Sequence, residues 1–483
     1  MASSIRMVSM LGWHRLGEGH GGMTMIESTQ SLTERFADAC VALSDAGLPA
    51  ATRQRTKLIV LDTLGAMLSA SRPVFPGPQR LAEFVENDGG GKSSVIGMSL
   101  RTSATDAALL NGYLAYALDI ESHHGPAIVH AAAAILPAAL AEAQLAGCGG
   151  DRLLAAVALG IEVACRVSLA LGPNDLYNRG FHPTAIAGSF GAAAAVVSLR
   201  KPNARSFAHA FGLAATMTGG LLAWASDESE ESRPFNPGTA ARNGLTAGRL
   251  AALGFGAPVN VFDQSMKYNV FRAWSEDGLG RPEELLTGMG EHFAVNDLII
   301  KQHACCAFLH PAVDGLFGIL AETDLRAEDI EAMTIRFPRT GAPIINNNPL
   351  RSHRAQYILP VATVRRQVDF ADVIRDQSAE PIIAELIDRV RFVEDEELDP
   401  LYPERYTTLL TVTTRDGAAH ERRVDFARGT PENPMSDDEI TAKFRRLASG
   451  RVGTERAEQI ARLVTELEQH EQLDDLFELL TVN

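Results

Sequence analysis

Acidic and imidazole side chains are concentrated in one short stretch of the chain. Five of them lie between Asn111 and Ala138: Asp119, Glu121, His123, His124 and His130. Helices are predicted before Asp119 and after His130, so these side chains share one loop. Carboxylates and imidazoles held close together are the usual groups of general acid–base catalysis. The alternative is that Asp119 and His130 are helix caps or paired residues of the core.

A further histidine stands directly before a long alanine-rich helix. His182 is followed by Pro183-Thr184 and then by AIAGSFGAAAAVVSL, which is apolar on nearly every side. The positive end of a helix dipole favours nearby anions and keeps an imidazole neutral. A neutral imidazole can accept or donate a proton, so His182 is a candidate base. The alternative is an ordinary histidine at a helix start.

Two cations occur where the sequence is otherwise apolar or forms a turn. Arg233 lies in SRPFNPGTAARNG, and a guanidinium fork suits bidentate binding of a carboxylate. Lys301 follows two isoleucines, where a lysine either pairs with a carboxylate or has its pKa lowered by burial. Both outcomes suit a site for carboxylate substrates. A surface salt bridge is the competing account for the arginines of this segment, above all for Arg242.

The residues after Lys301 leave two other chemistries open. His303, Cys306 and His310 could hold a metal ion, and Cys306 could be a nucleophile because His310 lies about one helical turn away. No carboxylate ligand and no second cysteine pair at metal-site spacing accompany them. We therefore expect no metal, and nothing further in the sequence supports a cysteine nucleophile.

The composition is that of an ordinary globular protein and limits the possible partners. The chain has 483 residues and a net charge of -16, which argues against binding to nucleic acid. Five scattered cysteines do not form a disulfide framework, which predicts a cytoplasmic location. Residues 1–28 lack a signal-peptide pattern and are predicted to be a disordered extension. The alanine-rich run 127–147 carries Pro137 and Glu142, so we predict a buried helix and no membrane contact.

Apolar periodicity divides the chain into a helical part and a mixed part. From Ser31 to Gly254, apolar residues recur at helical spacing between Gly and Pro residues, which predicts closely packed helices. Strand patterns follow in EAMTIRFP and in YTTLLTVTTRDGAAHERRVDF, where Asp416-Gly417 predicts the turn of a β-hairpin. From Ser436 onward the pattern is again that of amphipathic helices.

In their order along the chain, these clusters resemble the motifs of the MmgE/PrpD family, which includes 2-methylcitrate dehydratase, cis-aconitate decarboxylase and iminodisuccinate epimerase. The similarity extends from about Ser31 to Leu480, and its most specific element is Gly180-Phe181-His182-Pro183-Thr184. The other shared motifs are Asn111-Gly112, Leu118-Asp119-Ile120-Glu121, His130 with Leu136-Pro137, Gly238-Thr239-Ala240-Ala241-Arg242-Asn243-Gly244, and Lys301 through Cys306 to His310.

The resemblance implies a mainly α fold, with a large all-helical domain and a smaller α+β domain inserted into it. On this basis we expect the helical domain in residues 29–265 and 405–483, and the α+β lid domain in residues 266–404. The resemblance also implies a homodimer, no cofactor, and an active site in the cleft between the domains, where ligand sites are common.

The motifs also imply roles for individual residues. The predicted catalytic residues are Asp119, His130, His182 and Lys301, and the predicted substrate contacts are His123, Arg233, Cys306 and His303. Fixed cations would stabilise the negative charge that develops at a carbon next to a carboxylate. We favour a lyase resembling 2-methylcitrate dehydratase, which would act on a small di- or tricarboxylate. A decarboxylase, an epimerase and a non-catalytic carboxylate-binding protein are the alternatives.

Four features depart from the pattern of the family and bear on the substrate. One is the loop Glu121-Ser122-His123-His124, which differs from the common double-Asp form. Arg233 stands where decarboxylase-like members have a lysine, and Cys306 stands where some of them have a histidine. His303 stands where an aromatic residue is usual. A substrate outside the three named activities is compatible with these differences.

Overall fold

Helices make up most of the protein. The computed structural model describes residues 30–87, 89–200, 203–226 and 231–482, so the predicted extension at residues 1–28 lies outside the described residues. The helices are α1 Leu32–Ala46, α2 Ala50–Ala70, α3 Pro76–Asn87, α4 Ala104–Tyr116, α5 Ala131–Ala146, α6 Gly150–Leu171, α7 Pro173–Asn178, α8 Pro183–Ser198, α9 Ala204–Met217, α10 Phe235–Ala252, α11 Val270–Trp274, α12 His310–Thr323, α13 Ala342–Ile345, α14 Ala355–Arg365, α15 Phe370–Ile374, α16 Pro381–Ile387, α17 Asp437–Val452, α18 Thr454–Thr465 and α19 Asp474–Leu480.

In the described part of the chain, the strands form three small sheets. They are β1 Ser93–Ser94, β2 Arg101–Thr102, β3 His123–His124, β4 Leu298–Ile299, β5 Ile330–Pro338, β6 Val390–Asp395, β7 Thr408–Thr414 and β8 Ala419–Val424. Strands β1 and β2 pair with each other, as do β3 and β4, and the remaining strands form one sheet in the order β6-β5-β7-β8. The mainly α fold predicted from the sequence is confirmed.

One hydrophobic core joins the N-terminal helices to the C-terminal ones. It contains buried residues from Phe36 to Ala304 and again from Met435 to Leu480. Helix α8 is buried along its whole length because small side chains let its neighbours approach closely. A Cβ atom added at Gly188 of α8 would lie 2.9 Å from the Cβ of Ala134 on α5. The dense Ala and Gly of this region therefore permit the close packing that the sequence predicted.

Helix α6 lies inside this core. Among the described residues it is the one helix long and apolar enough to cross a membrane by length and composition, and 83% of its apolar window is buried inside the protein. It also carries a buried ion pair, in which Arg166 Nε lies 2.6 Å from Glu162 Oε1. Such burial is typical of the central helix of a helical domain.

The second core belongs to the α+β domain. Its buried residues run from Cys305 to Val412, and helices α12 and α14 pack on the four-stranded sheet. Strand β5 pairs with β6 in parallel and with β7 antiparallel, and β7 pairs antiparallel with β8. The predicted hairpin is confirmed, and Gly417 supplies the positive φ, 89°, that its turn requires.

The division between the two cores falls at other positions than the predicted domain boundaries, which stay predictions. The first core continues to Ala304, well beyond the boundary predicted between residues 265 and 266. Residues 266–304 contain little regular helix, yet Phe271 and Phe293 from this segment fill the helical core. Strands β7 and β8 belong to the sheet of the smaller domain, so the boundary predicted between residues 404 and 405 falls before two strands of that sheet.

Candidate active site

Residues 117–130, here called the site loop, connect α4 to α5 and have an unusual backbone. Asp119 and Ile128 both adopt positive φ angles, 51° and 52°. Such angles are unfavourable for a residue with a side chain, most of all a β-branched one, and they cluster at functional sites. Within the loop, β3 pairs with β4 so that His123 lies opposite Ile299. This pairing brings Lys301, two residues further on, next to the site loop.

Lys301 and Arg233 both lie close to Asp119. The Lys301 ammonium donates hydrogen bonds to the Asp119 carboxylate and, over 3.1 Å, to the Asp119 carbonyl. The Arg233 Nη1 atom lies 3.6 Å from Asp119 Oδ1, and the guanidinium stands 4.6 Å from the centre of the Tyr116 ring. All three charged side chains are almost completely buried. Segments far apart in the sequence thus meet at one charged centre.

The charge states of this centre follow from its burial and its partners. Burial alone would raise the pKa of Asp119, but Lys301 and then Arg233 hold it below its usual range. Burial alone would lower the pKa of Lys301, but Asp119 and Glu121 raise it. At neutral pH, Asp119 is therefore ionised and Lys301 is protonated.

Glu121 and His130 form a second pair, in which burial favours the uncharged form of both side chains. Glu121 Oε1 lies 2.6 Å from His130 Nδ1, and both groups are removed from solvent. Burial raises the pKa of Glu121 to about 7 against the pull of Lys301, and burial lowers the pKa of His130 far below its usual value. With a pKa near 7, the Glu121 carboxyl is protonated in a substantial fraction of molecules at neutral pH, while the His130 imidazole is uncharged. Such a proton is available for transfer to a substrate.

His182 and His123 are the other imidazoles of the site. His182 precedes α8, as predicted, and its ring lies 5.9 Å from that of Tyr116 and 5.4 Å from that of Trp224. His123 lies 4.6 Å, ring to ring, from His130. Burial lowers the pKa of both His182 and His123 well below the usual value, so both are neutral at physiological pH.

A cavity of about 220 Å³ opens between the two cores beside these groups. Its walls combine residues of the helical core with residues of the α+β core, which agrees with the predicted cleft. Five predicted residues line it: Asp119, His123, His130, Lys301 and Cys306. The other lining residues are Tyr116, Ile128, Tyr177, Leu222, Trp224, Ala225, Ala307, Phe308, Pro343, Ile344, Asn348 and His353.

Two predicted residues lie directly behind the cavity wall. Arg233 contacts the lining residues Asp119 and Tyr116. His182 contacts the lining residues Tyr116 and Trp224. In this structure both positions support residues that line the cavity. Their predicted direct roles, catalysis for His182 and substrate contact for Arg233, stay predictions.

His303 contacts a different set of groups, and its predicted role as a substrate contact stays a prediction. Its Nε2 atom lies 3.0 Å from Asp314 Oδ1, and its ring packs 5.4 Å from that of Phe317. The imidazole is thus paired with an acid of α12 and does not line the cavity. Although Lys301 is close in sequence, the chain turns between the two residues and directs them to different neighbours.

Cys306 lines the cavity but is a poor nucleophile. Burial, with a further contribution from Asp119, raises the pKa of its thiol to about 12. The thiolate is the reactive form of cysteine, and at neutral pH almost none is present. Its position is compatible with the predicted substrate contact.

The described part of the chain contains one group of three side chains spaced like metal ligands. The ligand atoms of Asp119, Glu121 and His130 all lie within 4.8 Å of one another. A divalent ion among them would stand beside the Lys301 ammonium, which already neutralises Asp119. Repulsion between the two cations opposes metal binding, so these donors fit proton transfer better than a metal.

Some residues of the site were not assigned from the sequence. The sequence marks Glu121 as an acid of the loop, two residues after Asp119, but does not indicate a role for it. Tyr116 lies one helical turn before Asp119, a spacing that could have suggested contact. Trp224 and His353 come from a short 3-10 turn and from the α+β domain, and no local pattern marks them.

The structure is a two-domain, mainly α fold with a cavity between its two cores that is lined by charged and apolar side chains. The MmgE/PrpD N-terminal domain matches residues 34–277, and the MmgE/PrpD C-terminal domain matches residues 303–469. The chain belongs to the MmgE/PrpD family.

Relatives of known name align over nearly the whole chain. The cis-aconitate decarboxylase-like protein oryM of Aspergillus oryzae is 30% identical, over 95% of this chain and 99% of its own length. The cis-aconitate decarboxylase of Aspergillus terreus is 27% identical, over 90% of this chain and 92% of its own. The human cis-aconitate decarboxylase is also 27% identical, over 93% of this chain and 95% of its own length. Decarboxylases of this kind are lyases, so the relatives support an enzyme of the lyase kind.

Proposed function

We propose that the protein is a lyase that removes carbon dioxide from a small, unsaturated di- or tricarboxylate by acid–base chemistry. The observation that carries this proposal is the buried Glu121–His130 pair, whose Oε1 and Nδ1 atoms lie 2.6 Å apart next to the Lys301–Asp119 centre. The names of the relatives favour decarboxylation over the dehydration expected from the motifs. Dehydration is therefore the second candidate.

Decarboxylation needs a place for developing charge and a source of one proton. When the departing carboxylate is one carbon away from a double bond, its carbon–carbon bond breaks and the electron pair forms a new double bond to the neighbouring carbon. The electron pair of the original double bond moves to the far carbon of that bond. Negative charge then develops beside a retained carboxylate, where the Lys301 ammonium stabilises it. The Glu121–His130 pair donates its proton to the carbon that carries this charge, and solvent later restores the proton.

The distribution of polar and apolar groups around the cavity suits this reaction. Lys301, Asp119 and His130 form one polar part of the wall, whereas Ile128, Leu222, Trp224, Phe308 and Ile344 are apolar lining residues. A carboxylate held against apolar side chains loses hydration, which favours its loss as neutral carbon dioxide. The retained carboxylates would bind near Lys301.

Dehydration is supported by a different observation. It requires a base that removes a proton from carbon and an acid that protonates the departing hydroxyl. His123 is a neutral imidazole that lines the cavity and lies 4.6 Å, ring to ring, from His130. His123 could serve as the base while the Glu121–His130 pair serves as the acid.

The decisive experiment follows the products directly. The purified protein is incubated in deuterated water with cis-aconitate, citrate, 2-methylcitrate and iminodisuccinate, and each mixture is followed by proton and carbon-13 NMR. Carbon dioxide together with one new carbon–deuterium bond is the expected result. Loss of water without carbon dioxide would support the second candidate. Deuterium exchange without net change would indicate an epimerase, and binding without turnover would overturn the proposal of an enzyme.

We also propose a homodimer in the cytoplasm, without membrane contact. All five cysteines are free and buried, which is compatible with a reducing compartment. Light scattering after size-exclusion chromatography should give twice the mass of one chain, and a mass of one chain would reject the dimer. Cell fractionation should recover the protein in the soluble cytoplasmic fraction, and recovery with membranes would contradict the proposed location.

A further inference from the structure

A second buried lysine, Lys443, contacts the site loop but is not among the residues that line the cavity. Lys443 of α17 donates hydrogen bonds to Asp62 Oδ1 of α2 over 2.5 Å and to the carbonyl of Ile120 over 2.7 Å. Both charged side chains are almost completely buried. A hydrogen bond from the C-terminal helices thus reaches the backbone of the active site.

The position of this hydrogen bond in the loop is informative. Ile120 stands between Asp119, which binds Lys301, and Glu121, which binds His130. Asp119 has a strained positive φ angle, so the loop requires an external contact to hold its shape. Lys443 fixes the peptide group that joins Ile120 to Glu121, and through it the relative positions of the two carboxyl groups.

The Asp62–Lys443 ion pair is not expected to contribute much to the stability of the fold. Burial raises the pKa of Asp62 and lowers the pKa of Lys443, so desolvation outweighs the attraction between the two charges. Buried ion pairs of this kind can often be replaced by apolar side chains without loss of stability. The presence of such a pair next to the site loop is better explained by the hydrogen bond from Lys443 to the Ile120 carbonyl.

We propose that Lys443, held by Asp62, is a positioning residue that fixes the backbone between Asp119 and Glu121. It touches no substrate and acts only through the Ile120 carbonyl. This inference rests on the proposed function, because Asp119 and Glu121 are the groups whose alignment matters for proton transfer.

The chain offers a matched control on the same helix. Lys57 of α2 donates to a backbone carbonyl, that of Thr465, over 2.7 Å and to Glu468 over 3.0 Å. It therefore also connects α2 to the C-terminal part of the chain through one carbonyl and one carboxylate. Its carbonyl partner lies outside the site loop, so replacement of Lys57 should not affect the alignment of the active site.

The test compares two double variants with the wild type. Asp62→Leu/Lys443→Met replaces the ion pair by apolar side chains of similar length, and Lys57→Met/Glu468→Leu is the control. We expect the first variant to lower kcat about 100-fold, because small misalignment of reacting groups has effects of this order. Its KM should change by less than about threefold, as substrate binding is retained. The control should keep the wild-type kcat.

A second measurement needs no substrate. Amide hydrogen exchange, read by mass spectrometry on peptides that cover residues 117–124, should become about tenfold faster in Asp62→Leu/Lys443→Met than in the wild type, because the loop opens locally. The control variant should show wild-type exchange there. If no carboxylate is turned over by the wild type, the proposed function fails, while the exchange measurement still tests the positioning role.

The inference is overturned if Asp62→Leu/Lys443→Met keeps kcat and loop exchange within about threefold of the wild type. It is equally overturned if KM rises while kcat is retained, since that would indicate a role in binding. Should this variant fail to fold, Lys443→Gln replaces it in both measurements, with the same thresholds.

Discussion

Two buried lysine–aspartate pairs contact the same loop, and they differ in their surroundings. Lys301 donates to the carboxylate and, over 3.1 Å, to the carbonyl of Asp119. Lys443 donates to Asp62 and, over 2.7 Å, to the carbonyl of Ile120, the next residue. The pKa of Lys301 is raised although burial opposes it, whereas burial lowers the pKa of Lys443.

The difference shows that burial and pairing do not by themselves identify a catalytic lysine. Lys301 lines a cavity and shares Asp119 with a second cation, Arg233. Lys443 of α17 is buried against Asp62 of α2. Its ammonium donates its hydrogen bonds to the Asp62 carboxylate and to the backbone carbonyl of Ile120. We therefore expect the first pair to act on the substrate and the second pair to act on the loop.

The sharpest test of this comparison is Lys301→Met. Removal of the cation that stabilises developing charge should lower kcat/KM about 1000-fold, the upper range for the loss of one such group. Steady-state kinetics on the substrate identified by NMR provide the measurement, and Lys57→Met is the control for loss of a buried lysine elsewhere. A loss smaller than about tenfold would show that the two pairs do not differ in the way proposed.

The next largest effect is expected from Glu121 and from pH. In the wild type, kcat should fall as the pH rises through about 7, because the Glu121–His130 pair then loses the proton that it donates. Glu121→Gln should lower kcat about 100-fold and remove this limb of the pH profile. If kcat of Glu121→Gln still falls as the pH rises through about 7, the group that titrates is not Glu121.

Stability should change over the same pH range. The pKa of Glu121 is raised from 4.5 to about 7 in the folded protein, so the folded state binds this proton more tightly than the unfolded state. The stability that Glu121 contributes is thus present below pH 4.5 and lost as the pH rises through about 7. Urea unfolding at several pH values should show this loss in the wild type and a smaller loss in Glu121→Gln.

Arg233→Lys tests the second cation of the cavity pair and should have an intermediate effect. A lysine keeps the charge but lacks the planar group that stands over Tyr116 while it approaches Asp119. We expect kcat/KM to fall about tenfold. Arg233→Gln, which also removes the charge, is the matched variant. Its kcat/KM should be lower than that of Arg233→Lys and closer to that of Lys301→Met. If Arg233→Lys has the same kcat/KM as the wild type, the planar shape of the guanidinium is not needed for activity, and the prediction is wrong.

The sequence predicts those features of the fold that have a local signature. Helical periodicity and the Asp416-Gly417 turn are local patterns, and both predictions are confirmed. His182 at the start of α8 was predicted for the same reason. Asp119 and Lys301 could be associated only because both belong to motifs shared with one family, since their meeting depends on the pairing of β3 with β4.

Contacts between distant segments had no such signature. Residues 266–304 look irregular, and only the packing of Phe271 and Phe293 shows that they complete the helical core. Lys443 and Asp62 stand in ordinary helical sequence, so nothing marks them as partners before the helices are placed. A residue's neighbours along the chain indicate its secondary structure, but they do not identify the group that its side chain will contact.

His303→Phe should have the smallest effect on catalysis. The imidazole is 3.0 Å from Asp314 and outside the cavity, so kcat/KM should stay within about twofold of the wild type. Asp314 would lose a hydrogen-bond partner and keep only the bond from the Arg428 amide, which should lower the free energy of unfolding by about 1–3 kcal/mol. His123→Phe, which alters a lining residue, is the contrasting variant and should impair turnover. If His303→Phe instead loses activity at unchanged stability, His303 reaches the substrate, and the boundary of the site must be extended to α12.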